Sequence, residues 1–135
     1  MSALDAFQVA TLPNSQAVLA IRTGLPAKAF EGVAEVFGLT SEGLAQRLGI
    51  SIRTIRDQRK RHVRLSSGNT EKLVRAARIY ALARSVFSTP VAVSQWLASP
   101  APALEGQCPL TLLDTDSGSR EVESVLHAIV YGNVM

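Results

Sequence analysis

Between Thr40 and His62 the chain offers two short helical segments with only Gly49-Ile50-Ser51 to turn on, and that spacing leaves few folds open. Thr40 or Ser41 can cap the first segment, whose Leu44, Ala45 and Leu48 fall on one face before Gly49 stops it. Ser51 can accept a hydrogen bond from the opening backbone of the second, which runs from Ile52 to about His62. Helices joined this tightly need a small side chain where they touch and apolar anchors to the rest of the core. Ala45 supplies the first, and Ile50 and Ile55 supply the second.

Together these features resemble the helix-turn-helix of the phage-repressor class. The charges fall where such a motif needs them. Arg53, Arg56, Arg59, Lys60, Arg61 and Arg64 set six cations against Asp57 alone, so residues 53–64 carry +5 within a chain of net +3, and the remainder sums to −2. The second helix of the motif enters the major groove with its N-terminal residues near base edges. Ser51, Arg53 and Thr54 stand there, followed by Arg56, Asp57 and Gln58. Arginine can pair with guanine O6 and N7, and glutamine with adenine, so Arg53, Arg56 and Gln58 are the expected base readers. Arg59, Lys60, Arg61 and Arg64 are the expected phosphate contacts, and Asp57 can orient one of the arginines. A solvated helix face would give the same run of charge, so the run by itself leaves both roles open.

At 135 residues, 47% hydrophobic and 19% charged, the chain suits one compact unit or two small helical subdomains sharing a core, away from the disordered class. One cysteine, Cys108, allows neither an internal disulfide nor a multi-cysteine metal site, and a buried or half-buried thiol in a reducing compartment is expected. No stretch approaches the roughly 20 apolar residues of a membrane span, and Met1-Ser2-Ala3-Leu4-Asp5-Ala6 lacks the form of a secretory signal. A cytoplasmic protein with no membrane partner is expected.

Residues 1–13 show no clear period and are expected to form an arm. Asn14 to Thr23 is a short helical candidate ending at Gly24. Pro26 fits the first position of the next helix, whose stripe of Ala29, Phe30, Val33, Ala34 and Phe37 stops at Gly38. Beyond the helix pair, residues 65–69 break the pattern, and Asn69 or Thr70 can cap a long helix. Its Leu73, Ala76, Ala77, Tyr80, Ala83, Val86 and Phe87 read as core, Tyr80 included. Thr89-Pro90 starts a helix that ends at Ser99-Pro100, and Pro100, Pro102 and Pro109 stiffen the connection that follows. Leu110 to Asp114 is a further short helical candidate. Gly118-Ser119 opens the last helix, with Val122, Val125, Leu126, Ile129 and Val130 on one face up to Tyr131-Gly132. The expected fold is all-α: an arm over 1–13, a helix-turn-helix domain over 14–68, and a small helical domain over 69–135.

The last third also carries an ordered set of residues. The helix from Ala92 to Trp96-Leu97 is followed by Ala103-Leu104 framed by prolines, Gly106, Pro109-Leu110, Leu112-Leu113, Gly118, Val122, Leu126 and Tyr131-Gly132. From about Leu73 to Gly132 this resembles the C-terminal toxin-binding domain of the Xre/MbcA/ParS-type antitoxins, the partners of Res-domain toxins. The helix-turn-helix half, with Leu65-Ser66 after its second helix, is also what that family carries. Two residues depart from the pattern: Ala101 stands where asparagine is frequent after the first proline, and Glu105 where glycine is common before Gly106.

The resemblance implies an inhibitor of a cognate Res toxin, an enzyme that consumes NAD or transfers from it, and a repressor of the shared operon. It implies that the C-terminal end approaches the toxin's active-site entrance, which makes Tyr131, Gly132, Asn133, Val134 and Met135 the inhibitory tip. From the residues alone, an apolar terminal helix with a short tail could enter a partner's cleft, but an ordinary frayed terminus is the reading they favour. Trp96 is the anchor candidate because tryptophan is enriched among binding hot spots, with a core position under the proline-rich connection as its competing role. Leu104 and Pro109 complete the candidate toxin-binding set.

Catalysis is not expected, and neither is a cofactor or metal. His62 and His127 stand far apart without cysteine or carboxylate at ligand spacing, and the glycines fall singly or at helix ends. Ser117-Gly118-Ser119 beside Asp114 and Asp116 is explained by a turn and cap. The expected partners are a Res-type toxin, operator DNA, and a second copy of the chain, since each helix-turn-helix reads one half-site. The alternative is a stand-alone helix-turn-helix regulator whose C-terminal half serves oligomerisation or effector sensing. A third reading, an interaction protein with a degenerate DNA-binding half, requires that neutralising Arg53 and Arg56 leave function intact.

Overall fold

The computed structural model describes residues 5–132, and their regular structure is helical throughout, as expected. The one β-type pairing among them is an isolated antiparallel bridge between Pro26 and Arg64. No helix among them is long and apolar enough to cross a membrane.

The segment expected to be an arm contains a helix, α1 (Ala6–Ala10). Asp5 and Gln8 close a capping box: the Gln8 N–H donates to Asp5 Oδ1 and the Asp5 N–H donates to Gln8 Oε1, both at 2.8 Å. Ala6 and Val9 are fully buried, and α1 packs on the long central helix α6 (Ser67–Val86). Five residues are too few to show a period or to hold as an isolated helix, so burial against α6 is what fixes this turn.

α2 (Asn14–Thr23) and α3 (Lys28–Phe37) follow, the latter beginning two residues after Pro26 because Pro26 is engaged in the bridge with Arg64. The helix pair is α4 (Ser41–Leu48) and α5 (Ile52–Lys60). Thr40 Oγ1 accepts from the Gly43 N–H at 2.9 Å, and Ser51 Oγ accepts from the Thr54 N–H at 3.2 Å. Between them Gly49 takes φ +67°, and the Ile50 N–H returns to the Ala45 carbonyl at 2.9 Å, which closes α4 and sets the turn. Ala45, Leu48, Ile50 and Ile55 are buried, as the spacing required.

α6 starts earlier than the sequence indicates. Ser66 Oγ caps it through the Asn69 N–H at 3.1 Å, while the Thr70 hydroxyl is taken by the Leu25 N–H, also at 3.1 Å. α6 touches α1, α2 and α3 and also α7 (Pro90–Ala98) and α8 (Asp116–Val130). The expected boundary at residue 68 thus falls inside its first turn. Tyr80 lies in the core, with its ring 6.0 Å from Phe7 and 5.3 Å from Phe37, so it joins α1, α3 and α6. One continuous core runs from Ala6 to Leu126.

The proline-rich connection forms two single-turn 3-10 segments, Pro102–Leu104 and Pro109–Leu112. The second lies on α4, and the Lys72 Nζ donates to the Gly49 carbonyl at 3.1 Å, so the C-terminal half rests directly on the helix-turn-helix turn. α8 opens at Asp116, with Thr115 Oγ1 accepting from the Gly118 N–H at 3.0 Å, rather than at Gly118-Ser119.

Candidate functional site

α5 presents its polar face outward because its two apolar residues, Ile52 and Ile55, turn toward the core. An open groove of about 790 Å³ runs along it, edged by Arg53, Arg56 and Lys60 from α5 itself and by Glu31 and Ser41 from α3 and α4. Arg53 and Thr54 are exposed, and Ser51 is exposed with its hydroxyl committed to the cap. Arg53 and Lys60 form no ion pair among the described residues.

The other cations on this face already have partners. The Arg59 Nε donates to Glu31 Oε1 at 2.8 Å, Arg56 Nη2 stands 3.6 Å from Glu42 Oε2, and the Arg61 Nη1 donates to Asp57 Oδ2 at 3.2 Å. The last pair is the orienting role expected of Asp57. Glu31 and Glu42 had no place in the sequence reading. They stand on the two helices that precede α5, and the packing of α3 and α4 brings them to its flank.

Two of the expected contact residues have part of their side chains engaged within the protein. Gln58 Oε1 is buried without a hydrogen-bond partner, so the amide oxygen needed for two-point adenine pairing faces into the protein. Arg64 is exposed but engaged: its Nη1 donates to the Gly24 carbonyl at 2.7 Å beside the bridge to Pro26, next to the Leu65 N–H donating to the Leu25 carbonyl at 2.8 Å.

The candidate toxin-binding residues also divide. Leu104 and Pro109 are buried, Leu104 at 4% exposure, so they support the proline-rich connection from beneath, with Leu104 at the floor of an open depression beside Arg120 and Val125. Trp96 is half-buried, its ring 5.5 Å from Phe87, which makes it part of the packing between the end of α6 and α7 while one edge stays accessible. Tyr131 is 72% exposed and Val130 48% exposed at the end of α8, and Gly132 is exposed beside them. The Tyr131 ring stacks on His127 at 6.3 Å and 16°, which fixes the direction in which it projects. Asn133, Val134 and Met135 lie outside the described residues.

No group of three or more His, Cys, Asp or Glu side chains among the described residues is placed to hold a metal ion. Cys108 is half-buried, with its thiol directed at the Ala98 carbonyl at 3.3 Å.

Comparison with known proteins matches both surfaces. The antitoxin Xre-like helix-turn-helix domain matches residues 16–78, and the antitoxin Xre/MbcA/ParS C-terminal toxin-binding domain matches residues 82–132. The junction between the two falls in the second half of α6. An antitoxin Xre of Pseudomonas putida (strain KT2440) is 31% identical over 83 residues, 62% of this chain and 52% of that protein. The match therefore takes in about half the length of that relative. With α4 and α5 in the first region and the exposed end of α8 in the second, the chain belongs to the Xre family of antitoxins.

Proposed function

We propose that this chain neutralises a cognate Res-domain toxin, an enzyme that consumes NAD or transfers from it, by placing the end of α8 at the toxin's active-site entrance. The observation that carries this reading is the exposed apolar pair Val130 and Tyr131 at the limit of the toxin-binding match. An aromatic ring held on His127 and standing clear of its own protein suits insertion into a cleft, where apolar burial supplies affinity and the ring's stacked partner limits the entropy lost. Tyr131 to Met135 form the tip, and the accessible edge of Trp96 contributes to the flank.

The helix-turn-helix half binds operator DNA and represses the operon that encodes both proteins. Arg53 and Arg56 contact bases, Lys60 and Arg59 contact phosphates, and a symmetric dimer spans half-sites about one helical turn apart. Binding is salt-sensitive, falling by about 0.9 in log affinity per phosphate contact for each tenfold rise in salt.

NAD consumption by the toxin, measured with the full chain and with a chain truncated after Val130, tests the first part. Inhibition lost on truncation supports the tip. Inhibition retained moves the contact toward Trp96, and no inhibition by the full chain leaves a stand-alone regulator.

A further inference from the structure

The two carboxylates that pair with α5 come from outside it, Glu31 from α3 and Glu42 from α4, and Glu31 also edges the groove. Glu42 is 69% exposed and Glu31 50% exposed in their side chains, so neither is there to satisfy a buried charge. Exposed ion pairs of this kind add little to fold stability. Their placement has a larger consequence for an anionic ligand. Each carboxylate holds a guanidinium that a phosphate or base edge would need, and each adds a negative charge where the DNA backbone would pass.

We propose that Glu31 and Glu42 are internal competitors of DNA phosphate, which hold down affinity for generic duplex and leave tight binding to sites that can draw Arg56 and Arg59 off their carboxylates. The inference rests on the operator-binding reading. Of the six cations of the basic run, only Arg53 and Lys60 have no ion pair or side-chain hydrogen bond among the described residues, so on this face non-specific encounters gain few phosphate contacts without breaking a pair. At a matched site the base contacts offset the exchange of partners. Discrimination thereby arises in part from a penalty on the wrong duplex.

The test uses the full chain and a random-sequence duplex of about 20 base pairs, with affinity read by fluorescence anisotropy from about 50 to 200 mM salt. Glu31→Gln and Glu42→Gln keep size and hydrogen-bonding capacity while removing the charge. Each is expected to tighten binding about threefold to tenfold at the low-salt end and to steepen the salt slope by about 0.9 for each arginine released. Adding Arg53→Ala to the double variant is expected to reverse part of the gain, which places the new affinity on α5. Unchanged or weaker binding by the glutamine variants overturns the proposal and gives the carboxylates an orienting role, with the operator reading intact. Absence of DNA binding by the natural sequence and by every variant overturns the operator reading, and the competition with it.

Discussion

The Leu112 carbonyl oxygen lies where a side chain on Gly118 would begin. A Cβ at this position would collide with that oxygen and press on the Leu112 carbonyl carbon, and both belong to backbone that cannot swing aside. The contact seats the first turn of α8 on the 3-10 segment Pro109–Leu112, and that segment in turn rests on α4. Gly118→Ala is therefore expected to cost about 2 to 3 kcal/mol, as overpacking of a close backbone approach does. Urea unfolding checks it, and an unchanged midpoint would mean that the approach is looser than the geometry gives.

Thr70 ties the start of α6 to the segment before α3 by a single hydrogen bond. Its hydroxyl is fully buried and accepts from the Leu25 N–H across 45 residues of sequence. Thr70→Val keeps the shape and leaves that N–H without a partner, which is expected to cost about 1 to 3 kcal/mol. Thr70→Ser keeps the acceptor and should cost less than Thr70→Val. If the two variants unfold at the same denaturant concentration, the hydroxyl contributes nothing beyond volume.

The same residue marks how far the sequence could be read. Thr70 looks like a helix cap because it follows a Ser-Ser-Gly-Asn break, and a cap hydroxyl and a tertiary hydrogen bond have the same local signature. Ser66, four residues earlier, was equally available. Where a cap and an apolar stripe coincide, at Thr40, Ser51 and Thr89, the sequence was sufficient, because both signals depend on neighbours within one turn. α1 was missed although Asp5 and Gln8 have capping-box spacing, since its helix depends on α6, sixty residues away. On the candidate surfaces, the exposed α5 cations were legible from their density alone. The burial of Leu104 and Pro109, the turn of Gln58 into the protein and the carboxylates opposite Arg56 and Arg59 all depend on which helices meet, and no local pattern encodes that.

Glu105 occupies a left-handed backbone position, φ +58° and ψ +33°, in the connection where the family commonly has glycine. The turn is held by the Gly106 N–H donating to the Ala101 carbonyl and the Ala101 N–H donating to the Gln107 carbonyl, both at 3.0 Å. A residue with a Cβ pays roughly 1 to 2 kcal/mol for that conformation, and glycine avoids it while losing more entropy on folding. Glu105→Gly is expected to stabilise the protein by about 0.5 to 1 kcal/mol, with toxin inhibition unchanged because the exposed end of α8 is untouched. Thermal unfolding checks the first point. A fall in midpoint would show that the connection is not strained at Glu105.

Arg53 and Arg64 lie at opposite ends of the basic run, and of the two only Arg64 has a hydrogen-bond partner among the described residues. Arg53 is exposed on the first turn of α5 and forms no ion pair among the described residues, whereas Arg64 is bound to the Gly24 carbonyl beside the bridge to Pro26. Arg53→Ala is expected to leave urea unfolding unchanged and to weaken operator binding by about fivefold to 150-fold, the loss of a base contact worth about 1 to 3 kcal/mol. Arg64→Ala is expected to behave in the opposite sense: stability falls by about 1 kcal/mol as a charge-assisted hydrogen bond is lost, and affinity falls only as far as the segment between α5 and α6 loosens. Measuring both quantities on both variants separates recognition from architecture. If the two arginines lower affinity equally with no change in stability, Arg64 leaves Gly24 to contact DNA, and the bridge at Pro26 does not depend on it.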